Sequence, residues 1–357
     1  MTFYQAMQLG AKNLKHLIKN SEDKNLKSKY ITAFTLKVFL CILFCMIVVI
    51  FFGNIFGKEN SIVGVVTILG LLTFRFSNLD FNVKQSAFTI FGIFVILAIG
   101  PYLGSISSPI VASMINFIFI FMIVILSCHN VDLSNHSIFV LSYLLLYGYE
   151  VGGINIYINR VIGLILGGII VSGVFYYKQR KFKFKNTICT IIKDIDFNTD
   201  RTKWQLKLTL GVCIGVLIGE LIHLPRAIWV GFACMSTLQP NREKLEFRYK
   251  KRPIFVVLGC VIFTIMYIIL PESLRDNMGI IGGIMVGFSS TYQWQTVFNC
   301  FGALSTSIPI LGLEEAIIFR IVNNLFGSIY TKVFNKLFNK VDDIISDKDV
   351  IDEIVEI

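Results

Sequence analysis

The chain has 357 residues, a net charge of +10, 55% hydrophobic and 16% charged residues, and a mean hydropathy of +0.70. Soluble domains carry about 25% charge, and a soluble protein of this size lacks the interior to hide so much Ile, Leu, Val and Phe. A soluble enzyme, a disordered chain and a nucleic-acid-binding module are excluded as readings of the whole. Spans packed in a bilayer remain, and the positive charge is first a topology signal.

Residues 1–29 carry Lys12, Lys15, Lys19, Lys24, Lys27 and Lys29 and read as a basic, cytoplasmic N-terminal segment. Phe3, Met7, Leu14 and Leu17 share one helical face, which suits a helix lying on a membrane or packed beneath it; a floppy tail is the alternative. The apolar run starts near Tyr30, so it reads as a span and not as a cleavable signal. A span needs about 20 apolar residues, with tolerance for tilt. Spans are expected near 31–52, 61–74, 86–103, 108–128, 137–148, 157–177, 204–223, 226–239, 254–270, 278–290, 293–309 and 314–335, and ten spans is the fallback. The segments 61–74, 137–148 and 226–239 are short for a crossing. With the N-terminus inside, Lys and Arg collect in the inner loops 75–85, 178–203 and 240–253, so both termini are expected in the cytoplasm. All seven prolines are placed at or near span ends, clear of helix interiors where they cost about 3 kcal/mol.

The two halves look alike. Leu79-Asp80-Phe81-Asn82-Val83-Lys84 matches Leu245-Glu246-Phe247-Arg248-Tyr249-Lys250. Glu150, Arg160 and Gly167 match Glu314, Arg320 and Gly327. Lys37 and Lys207 hold similar early places in their spans. The expected fold is therefore an all-α integral membrane protein, with about 12 transmembrane helices as two parallel six-helix repeats. Residues 30–177 form membrane repeat 1, 178–203 a basic cytoplasmic linker, 204–335 membrane repeat 2, and 336–357 an acidic cytoplasmic tail. The linker suits contact with anionic lipid headgroups.

Charges at membrane depth are costly and mark functional candidates. Arg160 and Arg320, near a pseudo-two-fold axis, could hold a carboxylate by paired hydrogen bonds. The alternative is a structural bridge to Glu150 and Glu314, which neutralise them or carry protons. Lys37 and Lys207 either line a cytoplasmic vestibule for anions or snorkel to headgroups. Glu220, without a mate in the other half, reads as an interface residue. Trp204, Trp229 and Trp294 fit interface belts. The glycine stripes Gly163/Gly167, Gly211/Gly215/Gly219 and Gly279/Gly283/Gly287 read as internal helix packing, ahead of dimerisation. The eight cysteines show no metal spacing and read as small packing residues. There is no phosphate-binding G-x-x-x-x-G-K-[ST] loop, no nucleophile elbow and no metal-spaced histidine set. No enzyme activity, cofactor or metal is expected, and transport or conduction is favoured over catalysis.

Leu224-Pro225-Arg226-Ala227-Ile228-Trp229 resembles a short apolar loop opening a span in the fusaric acid resistance-like (FUSC) family, which includes aromatic acid exporters. Gln239-Pro240 resembles that family's span ending, and Arg252 with Gly259 its basic-to-glycine step into the next span. Arg160 and Arg320 with Gly167 and Gly327 resemble the arginine and glycine of its last span in each half. Phe255 and Gln85 depart from the pattern, where glycine and a basic residue are usual. The resemblance implies twelve spans and export of organic anions, aromatic carboxylates among them, across a bacterial inner membrane. Plant malate channels of similar architecture make a passive anion channel the second reading. A non-transporting membrane scaffold or assembly protein is the third. The expected partners are a small organic anion and the lipid bilayer, with no nucleic acid; a homo-oligomer is left open.

Overall fold

A computed structural model describes the backbone of residues 1–355 and the side chains of residues 1–345. The acidic side chains Asp347, Asp349, Asp352, Glu353 and Glu356 of the tail lie outside the described residues. The described chain is helical throughout, without strands. The first helices are α1 (Phe3–Gln8), α2 (Ala11–Asn20), α3 (Lys24–Phe56), α4 (Ser61–Phe74), α5 (Val83–Ser105) and α6 (Pro109–Ser127). There follow α7 (His136–Gly148), α8 (Ile154–Gln179), α9 (Ile188–Lys193), α10 (Asp200–Leu221) and α11 (Ile228–Thr237). The last are α12 (Arg242–Ile269), α13 (Glu272–Arg275), α14 (Met278–Phe288), α15 (Tyr292–Leu311) and α16 (Leu313–Val355). Each of the twelve apolar segments falls on one helix. Among the described residues, six helices, α3, α5, α6, α8, α10 and α12, are long and apolar enough to cross a membrane. The apolar α7, α11 and α14 have 13, 10 and 11 residues.

Helix starts follow local chemistry. The Asn82 side chain accepts from the backbone of Lys84 and Gln85 and starts α5; such caps satisfy donors that have no helical acceptor. Asn241 does the same for Lys244, so α12 begins earlier in its segment. The two matching hexapeptides consequently differ locally. Residues 79–82 form a turn with Asp80 at φ 64°, whereas Leu245–Lys250 is helical. The early start also places Pro253 in the interior of α12, and Pro101 and Pro309 likewise lie inside α5 and α15, three corrections to the expectation that prolines stay clear of helix interiors. The Pro253 ring removes one helical hydrogen bond in α12.

Two compact units make up the chain. One comprises Met1–Val48 and Lys250–Asn324, the other Val49–Tyr249 and the chain from Leu325 onward, so the units cut across the halves read from the sequence. In the first unit, α1 and α2 pack Ala6 and Leu14 with Tyr30, Phe34 and Val38 of α3, and Ile284 and Phe288 of α14 lie against that cluster. Residues 1–20 are thus two helices seated on a core. A second core joins Val256, Cys260 and Phe263 of α12 to Cys300, Phe301 and Leu304 of α15.

In the second unit, Phe74 stacks on Phe139 at 5.0 Å and meets Phe175 edge-on at 6.2 Å, which ties α4, α7 and α8 together. Two glycines allow close helix approach. A Cβ at Gly167 of α8 would strike Thr67 Oγ1 of α4, and one at Gly327 of α16 would lie 2.6 Å from Ala233 Cβ of α11. Bare backbone at such points permits packing that lipid does not drive. The outer face of α3 stays apolar and uncovered, with Phe39, Leu43 and Ile47 each about half exposed, as a lipid-facing surface requires.

Candidate functional site: a basic cavity at the start of α10

Within the second unit, the first turns of α10 and α12 and the later turns of α16 surround a cavity of about 260 Å³. Lys207, Arg242, Lys332 and Lys336 line it, against a single carboxylate, Glu246. Gln239 and Pro240, which carry the resemblance described above, form part of its wall. Lys207 Nζ donates to Asn339 Oδ1 at 3.0 Å and lies 5.5 Å from the Phe338 ring. Lys332 lies 5.7 Å from the Tyr249 ring. Arg242 Nε and Glu246 Oε1 are 3.4 Å apart in an exposed bridge, which neutralises little in water. A recess with several positive groups and low-dielectric walls concentrates anions. Ligand pockets run from about 300 Å³ upward, so this one suits a small anion.

Arg160 is buried at 4% exposure, and Asn60 at 1%. Its Nε donates to Asn60 Oδ1 at 3.0 Å, Nη1 to the Tyr149 carbonyl at 2.5 Å and Nη2 to the Glu59 carbonyl at 3.4 Å. Asn60 Nδ2 donates on to the carbonyls of Phe56 and Ile156. The guanidinium therefore clasps the end of α3, the start of α4 and the turn before α8. Glu150 is exposed on that turn. In place of the alternative bridge to Glu150, the guanidinium is held by an amide and two carbonyls, because the turn before α8 directs its Tyr149 carbonyl inward.

In the first unit, Arg320 of α16 is buried at 4% exposure. Glu314 is exposed in the first turn of α16. One turn beyond Arg320, Asn324 donates to the Arg320 carbonyl at 2.8 Å and accepts from Arg252 Nε at 3.1 Å. Arg252 also donates to Tyr292 Oη at 3.4 Å. Asn60 and Asn324 were not legible as guanidinium partners, since an asparagine beside a span resembles a cap. Lys37 donates to the Leu9 carbonyl at the end of α1, which anchors the N-terminal helices on α3. Lys207 therefore lies in the basic cavity, whereas the resolved contact of Lys37 is to backbone.

Two tryptophans are corrections to the interface reading. Trp204 is 5% and Trp229 3% exposed, against 47% for Trp294. The Trp204 indole donates to the Leu238 carbonyl at 3.2 Å and meets His136 edge-on at 4.9 Å. A buried indole needs such an acceptor, and the end of α11 supplies it.

Residues 208–334 match the family described as fusaric acid resistance protein-like. An uncharacterized protein, ORF2, of Neisseria gonorrhoeae is 25% identical over 150 residues, 41% of this chain and 36% of its own length. The chain thus covers about a third of that relative. No solved structure matches. The matched stretch contains α11, α12, α14 and α15 and much of the cavity wall. With six helices among the described residues long and apolar enough to cross a bilayer, the chain is a multi-pass membrane protein whose residues 208–334 are similar to the fusaric acid resistance protein-like family.

Proposed function

We propose that the protein is a secondary exporter of small organic carboxylate anions, aromatic ones among them, across a bacterial inner membrane. The observation that carries this reading is the basic cavity of Lys207, Arg242, Lys332 and Lys336, set in and beside the family-matched stretch. In this account the cavity is the cytoplasmic mouth. It attracts the carboxylate, and the Tyr249 ring offers its face to the body of the acid.

Twelve spans as two parallel repeats, with both termini in the cytoplasm, complete the proposal. Its support is that Gly167 meets α4 and Gly327 meets α11, and each partner is the second span of its own half. Arg160 is proposed as a clasp for one helix corner, since three of its donors are engaged by protein acceptors. Arg320 retains the role of carboxylate attraction, with Glu314 at the head of its helix. No catalytic step or cofactor enters the scheme.

The test is uptake of labelled benzoate into inside-out vesicles that carry the protein. Uptake above that of vesicles lacking the protein is expected, with stronger inhibition by aromatic than by short aliphatic acids. Equal uptake in both vesicle types would overturn the proposal.

A further inference from the structure

Glu220 stands in the last turn of α10, half-buried. Apart from the first two turns of helices and the acidic tail, it is the carboxylate carried inside the apolar helices among the described residues. Its Oε1 accepts a hydrogen bond from Tyr147 Oη of α7 at 2.6 Å. On the same α7, Tyr143 Oη donates to Asn116 Oδ1 of α6 at 2.8 Å. A cluster of two hydrogen-bonded pairs thus ties α10 and α6 to α7. Gly104 of α5 closes over it: a Cβ there would lie 2.8 Å from Asn116 Oδ1 and 3.0 Å from the Tyr147 ring.

A carboxylate at a helix C-terminus faces outward-pointing carbonyls, which disfavour negative charge. It persists where it has a donor and a task. Lys207 of the basic cavity lies thirteen residues earlier on the same helix, about 20 Å away at the helical rise. One helix therefore carries an anion-attracting group near one end and a proton-accepting group at the other. The titratable and charged neighbours are few. Tyr143 and Tyr147 come from α7, and Cys213 lies two turns back on α10. His223 is exposed on the turn that follows. Arg226 donates to the Gly148 carbonyl at 3.1 Å and lies 5.7 Å from the Tyr149 ring.

We propose that Glu220 is the proton-binding site that couples anion export to a proton gradient, with Tyr147 as its positioning residue. The inference rests on the transport reading above. When the carboxylate is ionised, the phenol O–H donates to it. When a proton arrives from water, it bonds to a carboxylate oxygen, and the new O–H becomes the donor. Tyr147 rotates its hydrogen away from the carboxyl. On release the proton returns to water on the other side and the first pattern is restored. No group other than this carboxyl changes its bonding to hydrogen.

The experiment uses the full chain in proteoliposomes, with labelled benzoate moved either by an imposed pH gradient or by exchange at zero gradient. Glu220→Gln is expected to lose at least tenfold of the gradient-driven flux while exchange stays within about twofold. Glu220→Asp is expected to keep gradient-driven flux, and Tyr147→Phe to shift its pH dependence without abolishing it. Infrared difference spectra between pH 5 and pH 9 are expected to show a carboxyl C=O band that Glu220→Gln removes. Gradient-driven flux unchanged in Glu220→Gln, or an unchanged carboxyl band, would overturn the proposal while leaving transport standing. Absence of benzoate flux in the wild type by both modes would overturn the transport reading itself.

Discussion

Nε of Arg160 donates a 3.0 Å hydrogen bond to Oδ1 of Asn60, and the same amide donates to the carbonyls of Phe56 and Ile156 at 2.9 and 3.0 Å. The pair is buried and spans a hundred residues of sequence. Removing the amide leaves several polar groups without partners, at about 1–3 kcal/mol for an orphaned buried group. Asn60→Ala is therefore expected to lower the thermal midpoint of the detergent-solubilised protein clearly, and Arg160→Gln to do the same. If Arg160 instead served transport alone, its variants would lose flux with the midpoint unchanged.

Gly259 and Gly173 make a paired test of helix packing. A Cβ at Gly259 would lie 2.5 Å from the Val297 carbonyl oxygen and 3.0 Å from Val297 Cα, whereas none at Gly173 meets an atom within 4 Å. Backbone cannot swing aside as a side chain does. Gly259→Ala is expected to cost about 1–3 kcal/mol. Gly173→Ala is expected to be neutral or to gain up to about 1 kcal/mol from helix propensity. Thermal unfolding of both variants measures the contrast, and equal effects would refute it.

His129, in the loop after α6, supplies a pH prediction. Burial first, then the nearby Arg201 guanidinium, lower its pKa below the usual 6.5, with Asp194 and Asp80 opposing. Arg201 Nη1 lies 3.0 Å from Nδ1, which requires an unprotonated nitrogen there. The unfolded chain therefore binds this proton more readily than the fold does. The stability so contributed is fully present above pH 6.5. It declines as pH falls below that value, down through the lowered folded pKa. His129→Gln is expected to flatten the fall in thermal midpoint between about pH 7 and pH 5. An equal fall in variant and wild type would refute this.

Helix positions were legible because apolar runs, prolines and caps are local. The segment 61–74 coincides with α4. The early start of α12 was missed because Asn241 acts as a cap two residues after the end of the apolar run at Gln239. Polar partnerships were less legible. Glu220 finds Tyr147 across 73 positions and Arg160 finds Asn60 across 100, and neither pair follows a spacing rule. Trp204 and Trp229 were misplaced because indoles at span ends resemble interface anchors until an acceptor such as the Leu238 carbonyl is seen. Lys207 was legible as a vestibule residue, but the basic residues that share its cavity come from α12 and α16 and assemble only in the fold.

Reversing charge in that cavity tests the central claim most directly. Lys207→Glu combined with Lys332→Glu replaces two of four positive groups by negative ones, at partly exposed positions where folding tolerates charge. The measurement is benzoate exchange in proteoliposomes at low salt, beside the thermal midpoint of the same preparation. The account predicts at least a tenfold loss of exchange with the midpoint nearly unchanged. Exchange at the wild-type rate would contradict it.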